Sequence, residues 1–389
     1  GMSIAVVKDG KIRWAKGYGL ANTKDSTKVT KNTMFQAGSI SKPLAALAVL
    51  KLYEEGKVDL DTSVNIYLQN WKVPENKFTE KEAVTLRRLL THTAGMTVHG
   101  FPGYQQTDTF PSIEQVLNGK GNTKKIYADT LPGSIWNYSG GGYTVMEKVV
   151  EDVSGMPLEK YMDKHILDPM EMENSTYAQP LPEELHTSAS AAYDKEGIII
   201  EGLWHNYPEQ AAAGLWTTPT DLAKYCIEIQ NSLAGISSAV LTKETIEQML
   251  TKHKNDWGLG PALQWDNDSL VFRHGGKNAG FTNNMVSFAR KSDAVIVMTN
   301  ADNGGKLIGE VMRSISGYYR WGISEPMIIE PVQLTSESLM ELTGKYKLTK
   351  QIPGIGDYMV SVKIEDNQLT LIDTIEKEQS IIAVETDKA

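Results

Sequence analysis

The segments best suited to a β-sheet lie near both ends of a long stretch of this 389-residue chain, with a helical pattern between them. Ser3 to Val7 is apolar and largely β-branched, Asp9-Gly10 is a turn pair, and Lys11 to Tyr18 alternates again, so an opening hairpin is predicted. Comparable segments return only at Leu270 to His274, Asn284 to Arg290 and Ala294 to Asn300, followed by a helical pattern over Gly304 to Arg320. Between them, Leu44 to Tyr53 reads as a helix entered at Ser39, with Pro43 tolerated in its first turn and Gly56 as its stop. From about Asp59 to Trp204, short helical patterns such as Thr85 to Leu90 and Tyr143 to Val153 alternate with turn residues, which predicts a mostly helical lobe over about 59–205. A sheet closed from both chain ends around such a lobe is an α+β arrangement. Pro326 and Pro331 mark a linker over 326–335, ending a main domain at about residue 325. Beyond it Gly344 to Leu348, Tyr358 to Ile364, Leu369 to Asp373 and Ile381 to Val384 alternate like strands, with Asp366-Asn367 as a turn. That extension, 336–389, is near the lower size limit for independent folding.

Charge and cysteine usage narrow the chemistry. Lys and Arg number 39 against 48 Asp and Glu, a net charge of −9, and no basic run is denser than Arg87-Arg88 or Lys124-Lys125. A phosphate backbone is repelled by such a surface, so nucleic acid is not expected as a partner. The single Cys226 can form neither an internal disulfide nor a zinc-thiolate site, and its apolar helical flanks predict a buried, inert thiol. The seven histidines lack metal-ligand spacing, and His92 and His99 have no carboxylate or thiol set to complete a site. Neither a metal nor a cofactor is expected. No stretch approaches the ~20 apolar residues of a membrane span. No signal-peptide pattern precedes the first strand, and Gly1 ahead of Met2 reads as a tag remnant. There is no Gly-x-Ser-x-Gly elbow, and Gly304-Gly305-Lys306 is followed by Leu307 rather than Ser or Thr.

Three features could carry chemistry. Ser39-Ile40-Ser41-Lys42 lies at a helix start, where positions i and i+3 share a face, so Lys42 points at Ser39. A serine hydroxyl needs a neighbouring base, and a desolvated lysine can serve as one. The helix start also offers free backbone N–H groups for an oxyanion. Tyr138-Ser139-Gly140-Gly141-Gly142 puts a tyrosine, a possible proton relay, on a Gly-rich loop ahead of a helix. Arg273-His274-Gly275-Gly276-Lys277 follows a strand and could let a ligand lie against its edge, with His274 presenting a ring N–H. Each has a plainer reading: a chance Ser-x-x-Lys, a Gly-rich turn with a packed aromatic, and a hairpin turn with an exposed histidine.

Together the three follow the order used by the penicillin-recognising serine enzymes. The resemblance extends further. Leu89 to Met96 (LLTHTAGM) is similar to the LLTHTSGL segment of the class C β-lactamase-like and penicillin-binding-protein family. Ala213 to Ala223 resembles its GGLxSTAxDLA segment, Phe35 to Lys42 resembles FxxASxSK, and the match spans about residues 1 to 320. The resemblance implies a β-lactamase/transpeptidase-like antiparallel sheet flanked by helices, with Ser39 acylated, Lys42 beside it and Tyr138 shuttling the proton. It implies an oxyanion hole made by the backbone N–H groups of Ser39 and Lys277, with His274, Gly275, Gly276, Ser139 and Gly140 lining the substrate. Gly140 stands where the family's Tyr-x-Asn motif has Asn, and His274 where β-lactamases carry the lysine of Lys-Thr-Gly. The His-x-Gly form is similar to that of D-aminopeptidases, family esterases and penicillin-binding-protein homologues. The expectation is therefore a serine hydrolase of a D-amino-acid peptide or an ester, with a small-molecule or peptide substrate and an extracytoplasmic location. The alternatives are a true β-lactamase and a penicillin- or peptide-binding sensor with little turnover. The tail around Leu342 to Tyr346 resembles the lipocalin-like extensions of some members, though it is short for an eight-stranded barrel.

Overall fold

The structure is a computed structural model and describes residues 1–266, 269–324, 334–347, 358–365, 368–373 and 379–382. The chain forms two compact units, Gly1–Ser324 and Glu325–Ala389. In the first, six strands make one antiparallel sheet: β1 (Met2–Lys8), β2 (Lys11–Tyr18), β3 (Ala262–Asp266), β4 (Ser269–Asn278), β5 (Phe281–Phe288) and β6 (Asp293–Thr299). Their spatial order is β2-β1-β6-β5-β4-β3. The first strand is therefore internal: Met2 pairs with Thr299 and Val6 with Val295. Its alternation sorts side chains onto two faces. Met2, Ile4 and Val6 meet Val295, Val297, Ile308 and Met312 on one side, while Ala5 and Val7 join Ala294, Ile296 and the main core on the other.

Four longer helices cover the sheet and fill the lobe: α1 (Ser41–Glu54), α2 (Gly140–Ser154), α3 (Pro219–Leu233) and α4 (Gly304–Tyr319). Every residue of α1 from Ser41 to Leu50 is buried, so this helix shows no polar face over that span and runs through the centre of the unit. Cys226 on α3 is fully buried, and burial pushes its thiol up to about 12, where it stays protonated. No helix among the described residues is long and apolar enough to cross a membrane.

Three local features depart from the sequence reading. The strand containing His274 does not stop there; β4 continues to Asn278, and the turn falls at Ala279-Gly280. His274 is 5% exposed, so the reading as a turn with an exposed histidine is overturned. The Gly-Gly pair reads as a turn in sequence but is extended backbone, and Gly276 is bare for another purpose, described below. The edge strand β3 was not anticipated, because Gln264 and Trp265 face solvent and leave little apolar alternation. Between residues 59 and 205 regular helix is sparser than expected. Apart from α2, the α-helices there are five-residue segments (Leu86–Leu90, Ile113–Leu117 and Leu158–Met162), because Gly, Pro, Asn and Asp interrupt each apolar run.

In the second unit the described residues form a short helix, Ser336–Glu341, and four antiparallel strands: β7 (Gly344–Lys347), β8 (Met359–Glu365), β9 (Gln368–Asp373) and β10 (Gln379–Ile382). They pair in sequence order around a small core of Leu339, Val362 and Leu369. The prolines of the expected linker, the Asp366-Asn367 turn and the last residues of the final expected strand, Ala383 and Val384, lie outside the described residues.

The contact that positions the site joins β4 to the turn ahead of α1. β4 pairs with β3 only as far as Arg273, so beyond that point its free side meets the turn Gly38–Ile40. Gly38 has φ +55°, and a Cβ there would stand 2.6 Å from the Lys277 nitrogen. A Cβ on Gly276 would stand 1.9 Å from the Ala37 carbonyl oxygen, an overlap between backbones that neither can relieve by a rotamer change. Gly276→Ala is expected to cost about 2 kcal/mol or more in urea unfolding by overpacking this junction, and to slow active-serine labelling of Ser39. A variant with wild-type stability and labelling would refute the close approach.

Candidate active site

Ser39 sits in the 3-10 turn Gly38–Ile40, and α1 begins two residues later at Ser41. One helical turn on from Ser39, Lys42 is 2% exposed, and its Nζ donates to Ser39 Oγ at 3.2 Å and to the Ala212 carbonyl at 2.8 Å. It also lies 5.0 Å from the Tyr138 ring centre and 5.7 Å from that of Tyr143. Burial lowers Lys42 to about 7, and no carboxylate stands close enough to restore its charge. A lysine titrating there is neutral about half the time near pH 7, as a base for Ser39 must be.

Tyr138 packs beside this pair. Burial holds its phenol far above the ordinary tyrosine range, so it is protonated. The Ser39 hydroxyl lies near enough to favour the phenolate slightly, yet the two lack hydrogen-bond geometry, and Tyr138 Oη is buried without a partner. The tyrosine is held from behind by His92. His92 Nδ1 accepts the Ser139 N–H at 3.1 Å, and its ring lies 4.2 Å from that of Tyr138. Accepting at Nδ1 requires a neutral ring, and burial keeps His92 well below its usual value. The sequence marks His92 only as part of a family-like segment. Its left-handed backbone (φ +56°), which turns the ring inward, has no sequence signal in a non-glycine residue.

Ser139 caps α2: its Oγ accepts the Gly142 N–H at 2.9 Å and donates to the Thr97 carbonyl at 2.8 Å. Its hydroxyl is thus committed to the helix end. Gly140 lies against the loop before it, where a Cβ would stand 2.9 Å from the Phe101 ring and 3.1 Å from the His99 carbonyl oxygen. An asparagine in this position would need that loop to move.

On the opposite wall His274 is buried within β4. With the proton on Nδ1, the Gly275 carbonyl at 2.6 Å accepts it, which leaves Nε2 as a buried acceptor without a partner. Burial and then nearby Lys42 bring His274 down to about 3, so the ring is neutral at any physiological pH. Trp257 packs edge-on to both His274 (5.6 Å) and Tyr138 (5.8 Å), and Trp136 lies 5.4 Å from Trp257, completing an aromatic wall whose Trp257 the sequence did not single out. The Lys277 backbone nitrogen faces the Ser39 turn, but its side chain is 64% exposed and donates to the Asp302 carbonyl at 3.4 Å. The fold thus brings Ser39, Lys42, Tyr138, His274 and the Gly276–Lys277 backbone together, while the Lys277 ammonium and the Ser139 hydroxyl have other partners. Among the described residues no group of three or more His, Cys, Asp or Glu could hold a metal ion.

Known proteins share this architecture. The teichoic acid D-alanine hydrolase of Staphylococcus aureus is 27% identical over 259 residues, covering 65% of this chain and 60% of that protein. Protein flp of Staphylococcus aureus (strain MW2) is 23% identical over 317 residues, covering 78% of this chain and 60% of that protein. The chain thus spans about 60% of the length of these curated relatives. Among solved structures, the octameric penicillin-binding protein homologue from Pyrococcus abyssi matches with a TM-score of 0.71 at 25% identity, over 100% of this chain and 87% of that one. A D-stereospecific amidohydrolase from Streptomyces sp. matches at a TM-score of 0.60 and 22% identity, over 77% of this chain and 89% of that one. The beta-lactamase family model matches residues 1–310, which takes in the whole six-stranded sheet and helices α1 to α3. On that match the chain belongs to the beta-lactamase family.

Proposed function

We propose that this chain is a serine hydrolase that forms an acyl-enzyme on Ser39 and acts on a D-aminoacyl ester or a peptide of D-amino-acid type. The observation that carries the reading is the buried Lys42, lowered to about 7 and 3.2 Å from Ser39 Oγ. Neutral Lys42 takes the Ser39 proton as Oγ attacks the carbonyl carbon, and the oxyanion is received by the N–H groups of Ser39 and Lys277. The proton passes through Tyr138 to the leaving oxygen or nitrogen, the C–O or C–N bond breaks, and water later hydrolyses the acyl-serine by the same relay.

The walls support the choice of acyl donor. A β-lactam, or a peptide ending in D-alanine, carries a carboxylate on the side of β4. Beside the Gly275-Gly276 backbone, this strand offers it a neutral His274 and a lysine side chain bonded to Asp302. A substrate without that carboxylate, such as an ester of a D-amino acid, loses nothing there. The activities named for the relatives, D-alanine hydrolase and D-stereospecific amidohydrolase, point the same way. The teichoic acid named for the Staphylococcus relative supports an extracytoplasmic location, where the substrate is a small molecule or a peptide.

The pH dependence follows from Lys42. Below pH 7 the neutral fraction falls tenfold per pH unit, so fluorophosphonate labelling of Ser39 should rise about tenfold from pH 5 to 6 and level off above about 8. Ser39→Ala should not label, and a rate independent of pH would remove Lys42 as the base. Lys42→Met should also fail to label, yet melt at a higher temperature. The folded value of Lys42 lies below its unfolded one, so the folded state binds fewer protons between about pH 7 and 10. The gain in melting temperature should therefore be greatest below pH 7 and shrink as pH rises through that window.

Substrate preference is checked by steady-state kinetics on p-nitrophenyl esters of D- and L-alanine beside nitrocefin. The D-ester is expected to exceed nitrocefin in kcat/KM by at least tenfold. Faster turnover of nitrocefin would mark a β-lactamase, and a stable acyl adduct of nitrocefin on Ser39 with no turnover of any of them would mark a sensor.

A further inference from the structure

A buried glutamate stands behind the base. Glu147 lies on α2, nine residues after Tyr138, among the buried residues Tyr143, Met146 and Val150, and is itself 2% exposed. An acidic side chain at such a position is destabilising unless it has a defined partner. Its Oε2 accepts the Ala211 N–H at 2.8 Å. Ala211 belongs to the π-helical turn Gln210–Gly214, a wide and uncommon geometry.

The hydrogen bonds of this turn account for its place in the fold. The Ala212 and Ala213 N–H groups donate to the Glu209 carbonyl at 3.1 and 2.9 Å. The Ala213 carbonyl accepts from Asn278 on β4 at 3.0 Å, and the Gly214 carbonyl accepts from Gln179 at 2.7 Å. The Ala212 carbonyl is left for Lys42 Nζ, at 2.8 Å. The Ala211 N–H, one residue away, has the Glu147 carboxyl. The helix that begins at Gly140, two residues after Tyr138, is thereby tied to the carbonyl that holds the lysine.

We propose that Glu147 is a positioning residue for Lys42: its carboxyl fixes the 210–214 turn so that the Ala212 carbonyl meets the lysine Nζ while the lysine stays in reach of Ser39. This deepens the reading of Ser39 as nucleophile and Lys42 as base and rests on it. Glu147 acts as a hydrogen-bond acceptor and not through its charge. Burial holds it well above the ordinary carboxylate range, with Glu151 and Glu209 adding to the rise, and Lys42 feels no carboxylate. The groups facing Lys42 are Tyr138 and Tyr143, His92 and His99, and His274, none of them anionic at neutral pH.

Two readouts on the full chain test this. One is the second-order rate of Ser39 labelling by a fluorophosphonate, and the other is the Lys42 titration followed by NMR of protein carrying [13Cε]lysine. Glu147→Gln keeps an acceptor oxygen at the same reach and should label within about twofold of wild type with an unchanged Lys42 midpoint. Glu147→Met fills the space without an acceptor, and Glu147→Asp keeps the carboxyl but withdraws it by one methylene. Both should label at least tenfold more slowly, with the Lys42 midpoint lower by roughly one unit, the size expected for a weakened hydrogen bond to a charged group. The aspartate variant carries the test if the methionine variant does not fold. Wild-type rates and midpoint in a folded Met or Asp variant would overturn the proposal. So would a fall in Glu147→Gln as large as theirs, because the charge would then be what matters. If wild type does not label but the midpoints move as stated, the nucleophile reading fails while the positioning of Lys42 stands.

Discussion

The site depends on a lysine kept out of water without a counter-ion. An ammonium in that environment is costly, and the protein answers by making the charge easy to lose rather than by pairing it. The cost is visible in the surroundings of Lys42: a backbone carbonyl, a serine hydroxyl and two aromatic faces, each able to tolerate the charged form and none able to enforce it. Surrounding groups are held in their neutral forms by the same desolvation, with His92 and His274 displaced downward and Tyr138 and Tyr143 upward. Lys42 is therefore the group among these whose protonation changes near neutrality. In the proposed reaction, proton movement starts from one well-defined position instead of being shared among several partly charged neighbours.

Much of the frame was legible in the sequence because it rests on periodicity and steric exclusion. The opening hairpin, the helix after Ser39 and the late strands carry alternation or helical spacing strong enough to read alone. The Ser39–Lys42 pairing follows from the pitch of a helix and survives intact. What sequence could not supply were relations between distant segments. His92 matters through a left-handed backbone and a ring set against Tyr138, and Glu147 through an N–H sixty-four residues further on. The Gly275-Gly276 pair illustrates a different failure. Glycine signals a turn in one dimension, but here Gly276 keeps an extended strand free of a side chain where the backbone at Ala37 crosses it, while Gly275 meets no such approach. Lys277 shows the converse. As a residue type it suggests a charge for a substrate carboxylate, yet its ammonium bonds at the surface and only its backbone nitrogen faces Ser39.

The two walls of the site are built by different means. On the α2 side, the geometry comes from a chain of hydrogen bonds and packed rings: the Ser139 cap, the His92 acceptor and the Glu147 tie. On the β4 side it comes from the sheet, with Gly276 allowing the Ser39 turn to rest on the strand. The first kind of wall can be altered by substitutions that keep the fold, because loops such as the one carrying His99 and Phe101 carry no ladder bonds across the sheet. The second cannot, since moving β4 would move its ladder with β5.

The internal place of β1 has a consequence for how the molecule comes into being. The residues of β1, paired locally with β2, find their second ladder partner only when residues near 299 exist, so the middle of the sheet closes over almost the whole first unit. Contacts so distant in sequence slow folding and leave apolar segments uncovered while synthesis continues. A ribosome-bound chain stopped before β6 holds the hairpin β1–β2 with both faces of β1 bare. Such a chain is a natural client for a chaperone, and the length at which it becomes resistant to protease marks the moment the sheet is sealed.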